Sequence, residues 1–122
     1  MAGATVIIVD DDRSFVQAVA LFLEKHGYHT RTGFNGREGL DLLRENADVA
    51  VIDVHMPDIS GLELADEAQS LTNGPAIILI SSDDSPETAE RCRKTGAARF
   101  MAKPLAPREL LEAIGQGARE RS

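Results

Sequence analysis

Three short runs of apolar, largely β-branched residues most restrict how this chain can fold. They lie at residues 4–9, 48–54 and 76–81, with the sequences ATVIIV, DVAVIDV and AIILIS. Unbroken apolar runs of this length are typical of strands that are covered on both faces, as in parallel sheets. Parallel strands need long crossover connections, which are usually helices. The chain is therefore expected to alternate strands with helices.

The segments between these runs have the apolar spacing of helices. Residues 13–26 carry apolar side chains three and four positions apart, and Gly27 is expected to end that helix. A second helix is predicted near residues 61–71, and Glu38 and Glu63 complete two capping boxes. The starts of the remaining helices are predicted from capping residues or from a proline in the first helical turn. The predicted starts are Asn35, Ser60, Ser85 and Pro107.

Two further strands are predicted from weaker patterns. Residues 28–33 (YHTRTG) alternate more polar side chains, which places them at a sheet edge, and residues 98–102 (ARFMA) form the fifth strand. Five strands alternating with five helices predict a parallel sheet with right-handed crossovers and helices on both faces, an α/β fold. Because 122 residues is the usual size of one domain, a single domain is expected over residues 1–122.

Charge and cysteine content exclude several classes of function. The formal net charge is -7, whereas binding of nucleic acid or anionic lipid through bulk electrostatics needs a basic surface. One cysteine, Cys92, cannot form an internal disulfide and suits a reducing compartment. The sequence has neither an apolar run of about 18 residues nor a signal-like segment. We expect a cytoplasmic protein with no direct contact to nucleic acid or membrane.

Reactive side chains follow four of the predicted strands. Asp10 and Asp11 come directly after the first strand, and Asp53 lies at the end of the third. Ser81 and Ser82 end the fourth strand, and the fifth runs into Lys103 and Pro104. The carboxyl ends of parallel strands meet at one edge of the sheet, where ligands bind in folds of this class. These residues are therefore expected to form one site.

The residue types at this edge indicate phosphoryl transfer. Asp10, Asp11 and Asp53 supply hard oxygen ligands, which Mg²⁺ prefers. Lys103 is a compact cation that can hold a carboxylate or a phosphoryl oxygen, and Ser81 offers a hydroxyl group. Phosphoryl transfer depends mainly on positioning and charge neutralisation. Asp53 is the predicted nucleophile, which would form an acyl phosphate.

Four motifs in this order resemble the receiver domain of two-component response regulators. They are IIVDDD, VIDVHMPDISG, ILISS and FMAKP, and the likeness, closest to chemotaxis-type receivers, covers essentially the whole chain. The resemblance implies a single-domain, doubly wound (βα)5 flavodoxin-like fold with a five-stranded parallel sheet in the order 2-1-3-4-5. It also implies a phosphoacceptor module that receives a phosphoryl group from a histidine kinase or phosphotransfer protein and needs Mg²⁺ or Mn²⁺.

The resemblance assigns roles in metal binding and in loss of the phosphoryl group. The metal would be bound by Asp11, Asp53 and the backbone carbonyl of His55, with Asp10 acting through water. His55 and Asp83, each two residues after a site residue, stand where the family flanks the approach of the hydrolytic water. We hypothesise that these two residues set the lifetime of the phosphorylated form.

Other residues would bind the phosphoryl group and change conformation with it. By resemblance, Lys103 would hold one phosphoryl oxygen and the backbone N–H of Ser82 another. Ser81 stands at the position of the switch hydroxyl, and Phe100 at that of the switch aromatic. Pro104 implies the cis Lys–Pro bond usual in the family. The residue-level alternatives are a helix cap for Asp12 and a core role for Phe100. Cys92 is expected to be a small residue of the fourth helix without a catalytic role.

Partners and output follow from the same resemblance. The switching face would include the fourth helix, fifth strand and fifth helix, and would bind a protein target, a fused output domain or a second copy, so a monomer and a dimer are both open. A phosphorylation-independent binding module is one alternative. A Mg²⁺-dependent phosphatase of the haloacid-dehalogenase type is another, although His55 stands where such enzymes place an acid. Apart from self-phosphotransfer and autodephosphorylation, no enzyme activity is expected.

Overall fold

The chain alternates five strands with five helices in the computed structural model, which describes residues 3–121. The strands are β1 (Thr5–Val9), β2 (His29–Gly33), β3 (Val49–Asp53), β4 (Ala76–Ser81) and β5 (Arg99–Ala102). The helices are α1 (Arg13–Lys25), α2 (Gly36–Leu43), α3 (Gly61–Gln69), α4 (Pro86–Lys94) and α5 (Pro107–Arg121). The strands pair in parallel in the order β2-β1-β3-β4-β5. The predicted α/β fold and strand order are confirmed.

Alternating side chains of the central strands build two cores, one on each face of the sheet. Val6 and Ile8 of β1 pack into a cluster with residues of α1 and α5, whereas Ile7 and Val9 pack against residues of α2, α3 and α4. All four side chains are fully buried. Each such side chain stabilises the fold by roughly 1.5–3 kcal/mol relative to exposure. Burial on both faces explains why the central strands are apolar without interruption.

The edge strands differ from the central ones as predicted. β2 pairs only with β1 in the sheet order, and its side chains are exposed or half-buried apart from Gly33. β5 lies at the opposite edge and pairs with β4, with Arg99 exposed. A polar strand is tolerated there because one side of it faces no neighbouring strand.

Local capping bonds fix where the helices begin. Asp12, Asn35, Ser60 and Ser85 each accept a hydrogen bond from a backbone N–H in the first turn of the following helix. The predicted box at Asn35 differs in one contact, because Glu38 Oε1 accepts from the N–H of Phe34, one residue earlier. The helix that begins after Ser60 ends at Gln69 and is shorter than predicted. Among the helices of residues 3–121, none has the length and apolar character needed to cross a membrane.

A glycine at the start of α3 lets that helix approach the end of β3. A Cβ atom on Gly61 would lie well inside 3.0 Å of the backbone carbonyl of Asp53 and would also crowd Val54. The N–H of Gly61 donates to the carbonyl oxygen of Val54 at 2.9 Å. The close contact therefore involves backbone atoms, which cannot rotate away as a side chain can. Gly61 fixes the path of the chain directly after Asp53.

We expect Gly61→Ala to lower the free energy of unfolding by about 3 kcal/mol, because the added methyl group overpacks a backbone contact. Urea denaturation provides the measurement. Gly115→Ala in α5 is the matched control, since its Cβ would meet nothing closer than 3.4 Å. Removing a glycine from a helix should stabilise that variant by up to about 1 kcal/mol. Equal stabilities of the two variants would contradict the packing described for Gly61.

Candidate functional site

The carboxyl ends of four strands bring the predicted site residues together. Asp10 follows β1, Asp53 ends β3, Ser81 ends β4 and Lys103 follows β5. Asp10 and Ser81 are fully buried, and Asp53 is 7% exposed. Asp11 lies beside them and is exposed. The sheet therefore places these side chains at one edge, as the motif spacing predicts.

Three carboxylates of this site crowd one another. Carboxylate oxygens of Asp10, Asp11 and Asp53 all lie within 4.8 Å of one another. Two like charges at about 4 Å repel by roughly 4 kcal/mol at an effective dielectric near 20. Hard oxygen donors in a compact group are the ligands that Mg²⁺ prefers. The donor set therefore fits a small divalent cation.

One ammonium group opposes these negative charges. Lys103 Nζ lies 2.6 Å from Asp10 Oδ2 and 3.8 Å from Asp53 Oδ2. Its backbone N–H donates to the carbonyl oxygen of Ser81 at 2.8 Å, which ties the lysine to the neighbouring strand. The peptide bond between Lys103 and Pro104 is cis, as the resemblance implies. One cation near three carboxylates leaves the site with an excess of negative charge.

Burial and the neighbouring carboxylates act together on Asp53. Burial of the carboxyl, followed by the charge of Asp10 and a smaller contribution from Asp11, raises the pKa of Asp53 from 3.8 to about 6. The Lys103 ammonium lowers the pKa in opposition, as does the backbone N–H of His55, which donates to Asp53 Oδ1 at 3.4 Å. The ionised form of Asp53 therefore lowers the stability of the fold, and additional positive charge would reduce this loss.

Ser81 is connected to the start of α4 through Asp83. Ser81 Oγ accepts from the N–H of Asp83 at 2.9 Å. The Asp83 carboxylate accepts from the N–H of Ser85 at 3.0 Å and from the hydroxyl of Thr88 at 2.6 Å. The Thr88 bond, followed by the bonds from Ser85, lowers the pKa of Asp83 to about 2, with a smaller contribution from His55. Both oxygens of Asp83 therefore face the cap of α4, and its effect on dephosphorylation stays a prediction.

The remaining predicted residues lie at the margin of the site. Ser82 and the side chain of His55 are exposed. Phe100 is half-buried, packs against the core on the α2–α4 face and lines a cavity of about 280 Å³ together with Cys92. Cys92 lies in α4, as predicted, and its side chain is buried in the core. The switching role of Phe100 and the metal-binding role of the His55 carbonyl stay predictions.

Two contacts near the site could not be found from local sequence patterns. Asp58 in the β3–α3 loop accepts from the N–H groups of Gly36 at 2.8 Å and Arg37 at 3.0 Å. These bonds lower the pKa of Asp58, and the bond from Gly36 contributes most. They join the loop after Asp53 to the start of α2. The second contact is the Thr88 bond to Asp83, for which the only sequence signal is a hydroxyl five residues after a carboxylate.

The fold and the site agree with a comparison against known protein families. The model of the response regulator receiver domain family matches residues 6–115. The chain therefore belongs to the response regulator receiver domain family, a regulatory family of two-component systems. The resemblance inferred from the four sequence motifs is confirmed.

Individual relatives support the same assignment. Over 107 residues the chain is 33% identical to the response regulator MprA of Mycolicibacterium vanbaalenii, covering 87% of this chain and 46% of that protein. The CheY-like receiver domain protein of Methanospirillum hungatei JF-1 has a TM-score of 0.90 and 30% identity, with 98% of this chain and 97% of that one covered.

A third relative has been solved with bound groups. It is a response regulator of Burkholderia pseudomallei with a phosphorylated aspartic acid, a calcium ion and citrate, which has a TM-score of 0.85 and 30% identity over 96% of this chain and 69% of that one. The chain spans between 25% and 47% of the length of the curated relatives that it matches.

We expect Asp53→Asn to raise the free energy of unfolding when divalent cations are removed by a chelator. Because the pKa of Asp53 is raised to about 6, stability that is complete below 3.8 is lost as the pH rises through about 6. The neutral amide removes that loss, so the variant should gain roughly 1–3 kcal/mol at about pH 7.5 and nothing below about pH 4. Chemical denaturation across this pH range is the measurement.

Asp84→Asn is the matched control, since Asp84 is an exposed carboxylate in the β4–α4 loop outside the cluster. Its effect should stay below about 0.5 kcal/mol throughout. A gain for Asp53→Asn that does not depend on pH would show that ionisation of the buried Asp53 carboxyl is not its cause.

Proposed function

We propose that this chain is a phosphoacceptor module whose Asp53 receives a phosphoryl group from a histidine kinase or a phosphotransfer protein. The observation that carries the proposal is the position of Asp53, with two further carboxylates and one ammonium group around it. The phosphorylated aspartic acid in the Burkholderia pseudomallei relative supports the same chemistry here. A carboxylate oxygen of Asp53 forms the new bond to phosphorus, while the bond from phosphorus to the imidazole nitrogen of the donor breaks.

The donor set supports Mg²⁺, or Mn²⁺, as the cofactor. Asp11, Asp53 and the backbone carbonyl of His55 would hold the ion, with Asp10 acting through water. A bound divalent ion neutralises charge on the transferring phosphoryl group. Asp10 also accepts from the N–H of Asp12 at 3.0 Å, so its carboxylate is held in place at the end of β1.

The chain's own donors would bind the phosphoryl oxygens. Lys103 is within a small movement of any oxygen bound to Asp53, because its Nζ already lies 3.8 Å from Asp53 Oδ2. The backbone N–H of Ser82 would donate to a second oxygen. The hydroxyl group of Ser81 would donate a hydrogen bond to a third phosphoryl oxygen, after the bond from the N–H of Asp83 to Ser81 Oγ has broken. This exchange is the first step of the proposed switch.

The proposed output is a change of the face made by α4, β5 and α5. A phosphoryl group adds a charge of about -2. Movement of Ser81 would displace the start of α4, because Asp83 is hydrogen-bonded to both Ser81 and Ser85. Phe100 lies on β5, which pairs with the strand of Ser81. The switched face would bind a protein target, an output domain or a second copy of the chain. The proposal includes one domain over residues 1–122 in the cytoplasm, without direct nucleic-acid binding or further enzyme activity.

With Mg²⁺ and acetyl phosphate, we expect each wild-type molecule to gain one phosphoryl group, measured by intact mass spectrometry. Asp53→Asn should abolish the gain because the attacking oxygen is lost, and a chelator should do the same. Asp84→Asn is the charge-matched control and should be phosphorylated like the wild type. An unmodified wild-type protein would contradict the proposal and favour a phosphorylation-independent binding module. Repeated hydrolysis of a simple phosphate ester would instead favour a phosphatase.

A further inference from the structure

An aromatic ring of α1 lies against the site lysine. Lys103 Nζ is 4.6 Å from the centroid of the Phe15 ring. A cation within about 6 Å of an aromatic face is attracted by the negative charge density of the ring. The Lys103 side chain is only 21% exposed, so water screens this attraction less than it would at an open surface. The receiver-domain assignment does not require an aromatic residue at this place.

Hydrogen bonds through the third aspartate of the DDD run join the backbone of Phe15 to the site. The N–H of Phe15 donates to Asp12 Oδ1 at 3.1 Å, and the N–H of Asp12 donates to Asp10 Oδ1 at 3.0 Å. Asp10 Oδ2 in turn accepts from Lys103 Nζ at 2.6 Å. Together with the ring contact, these bonds close a circuit of four residues. Phe15 also packs against the core on the α1–α5 face, which restrains its ring.

The circuit limits where the lysine ammonium can go. Lysine has a flexible four-carbon stem, and ordering such a side chain costs conformational entropy. An open groove of about 610 Å³, lined by Phe15, Lys103, Pro104 and Leu105, lies beside the site. Because the Lys103 ammonium contacts both the Phe15 ring and the Asp10 carboxylate, these two contacts oppose its movement into the open groove. Restraining a catalytic side chain before the reaction lowers the cost of using it.

We propose that Phe15 is a positioning residue for phosphoryl transfer, which keeps the Lys103 ammonium beside Asp53 through its aromatic face, with Asp12 setting the place of the ring. This inference rests on the proposed phosphoacceptor function. When phosphoryl oxygens are bound at Asp53, Lys103 turns from Asp10 towards them. The ammonium stays in contact with the Phe15 ring over this short distance. The contact therefore favours a lysine bound to the phosphoryl oxygens over one that is free in the groove.

The test compares Phe15→Leu, which keeps an apolar side chain but removes the aromatic face, with Phe15→Tyr, which retains the face. Binding of beryllofluoride in the presence of Mg²⁺ is measured by titration, and the rate of phosphorylation by acetyl phosphate is followed separately. Phe15→Leu should weaken beryllofluoride binding and slow phosphorylation, each roughly three- to tenfold, whereas Phe15→Tyr should stay within about twofold of the wild type. Affinity for Mg²⁺ alone should be unchanged in both variants, because Lys103 is not a proposed metal ligand.

A second measurement does not depend on the reaction. The ring current of Phe15 should shift the Cε protons of Lys103 upfield in the NMR spectrum of the wild type and of Phe15→Tyr, and the shift should vanish in Phe15→Leu. Should the leucine variant fail to fold, Phe15→Met takes its place. Equal behaviour of the leucine variant and the wild type would overturn the inference, and so would a parallel loss of Mg²⁺ affinity or equal losses in the leucine and tyrosine variants. A wild type that binds no beryllofluoride would overturn the proposed function itself.

Discussion

The site depends on an imbalance of charge at one edge of the sheet. Asp10, Asp11 and Asp53 bring three carboxylates within 4.8 Å of one another, and one ammonium, that of Lys103, lies among them. The nearest attraction joins Lys103 to Asp10, so Asp53 receives only a weaker share of the positive charge at 3.8 Å. Burial, followed by the charge of Asp10, raises the pKa of Asp53 to about 6. A divalent cation is the partner that such an arrangement favours.

The fold brings these charges together, and its apolar cores offset the free energy of their repulsion. Parallel strands end at the same edge, so residues that are distant in the sequence meet there. Two apolar cores stabilise the sheet that carries the charges, and Gly61 permits α3 to pack against the carbonyl of Asp53. Asp58 joins the loop after Asp53 to α2, while Asp83 joins the loop after Ser81 to α4. Each of the two loops beside the site is therefore held by one of its own carboxylates, which accepts a hydrogen bond from the start of a neighbouring helix.

Much of this architecture follows from the sequence. The strand predicted at residues 76–81 is observed as Ala76–Ser81, because burial on both faces leaves an unmistakable apolar run. The cap at Asp12 was also predictable, since its bond to Phe15 spans three residues. Contacts between distant segments were not predictable in the same way. The bonds of Asp58 to α2 and the contact of Phe15 with Lys103 depend on how separate elements pack, which local patterns do not encode.

The most direct test of the charge imbalance is the melting temperature of the protein across a magnesium titration. An ion that binds only the folded chain stabilises it by mass action, and relief of carboxylate repulsion supplies the binding energy. The wild type should melt at progressively higher temperature as Mg²⁺ reaches millimolar levels, and Asp11→Asn should lose most of this rise. A melting temperature that does not change with Mg²⁺ in the wild type would contradict the account.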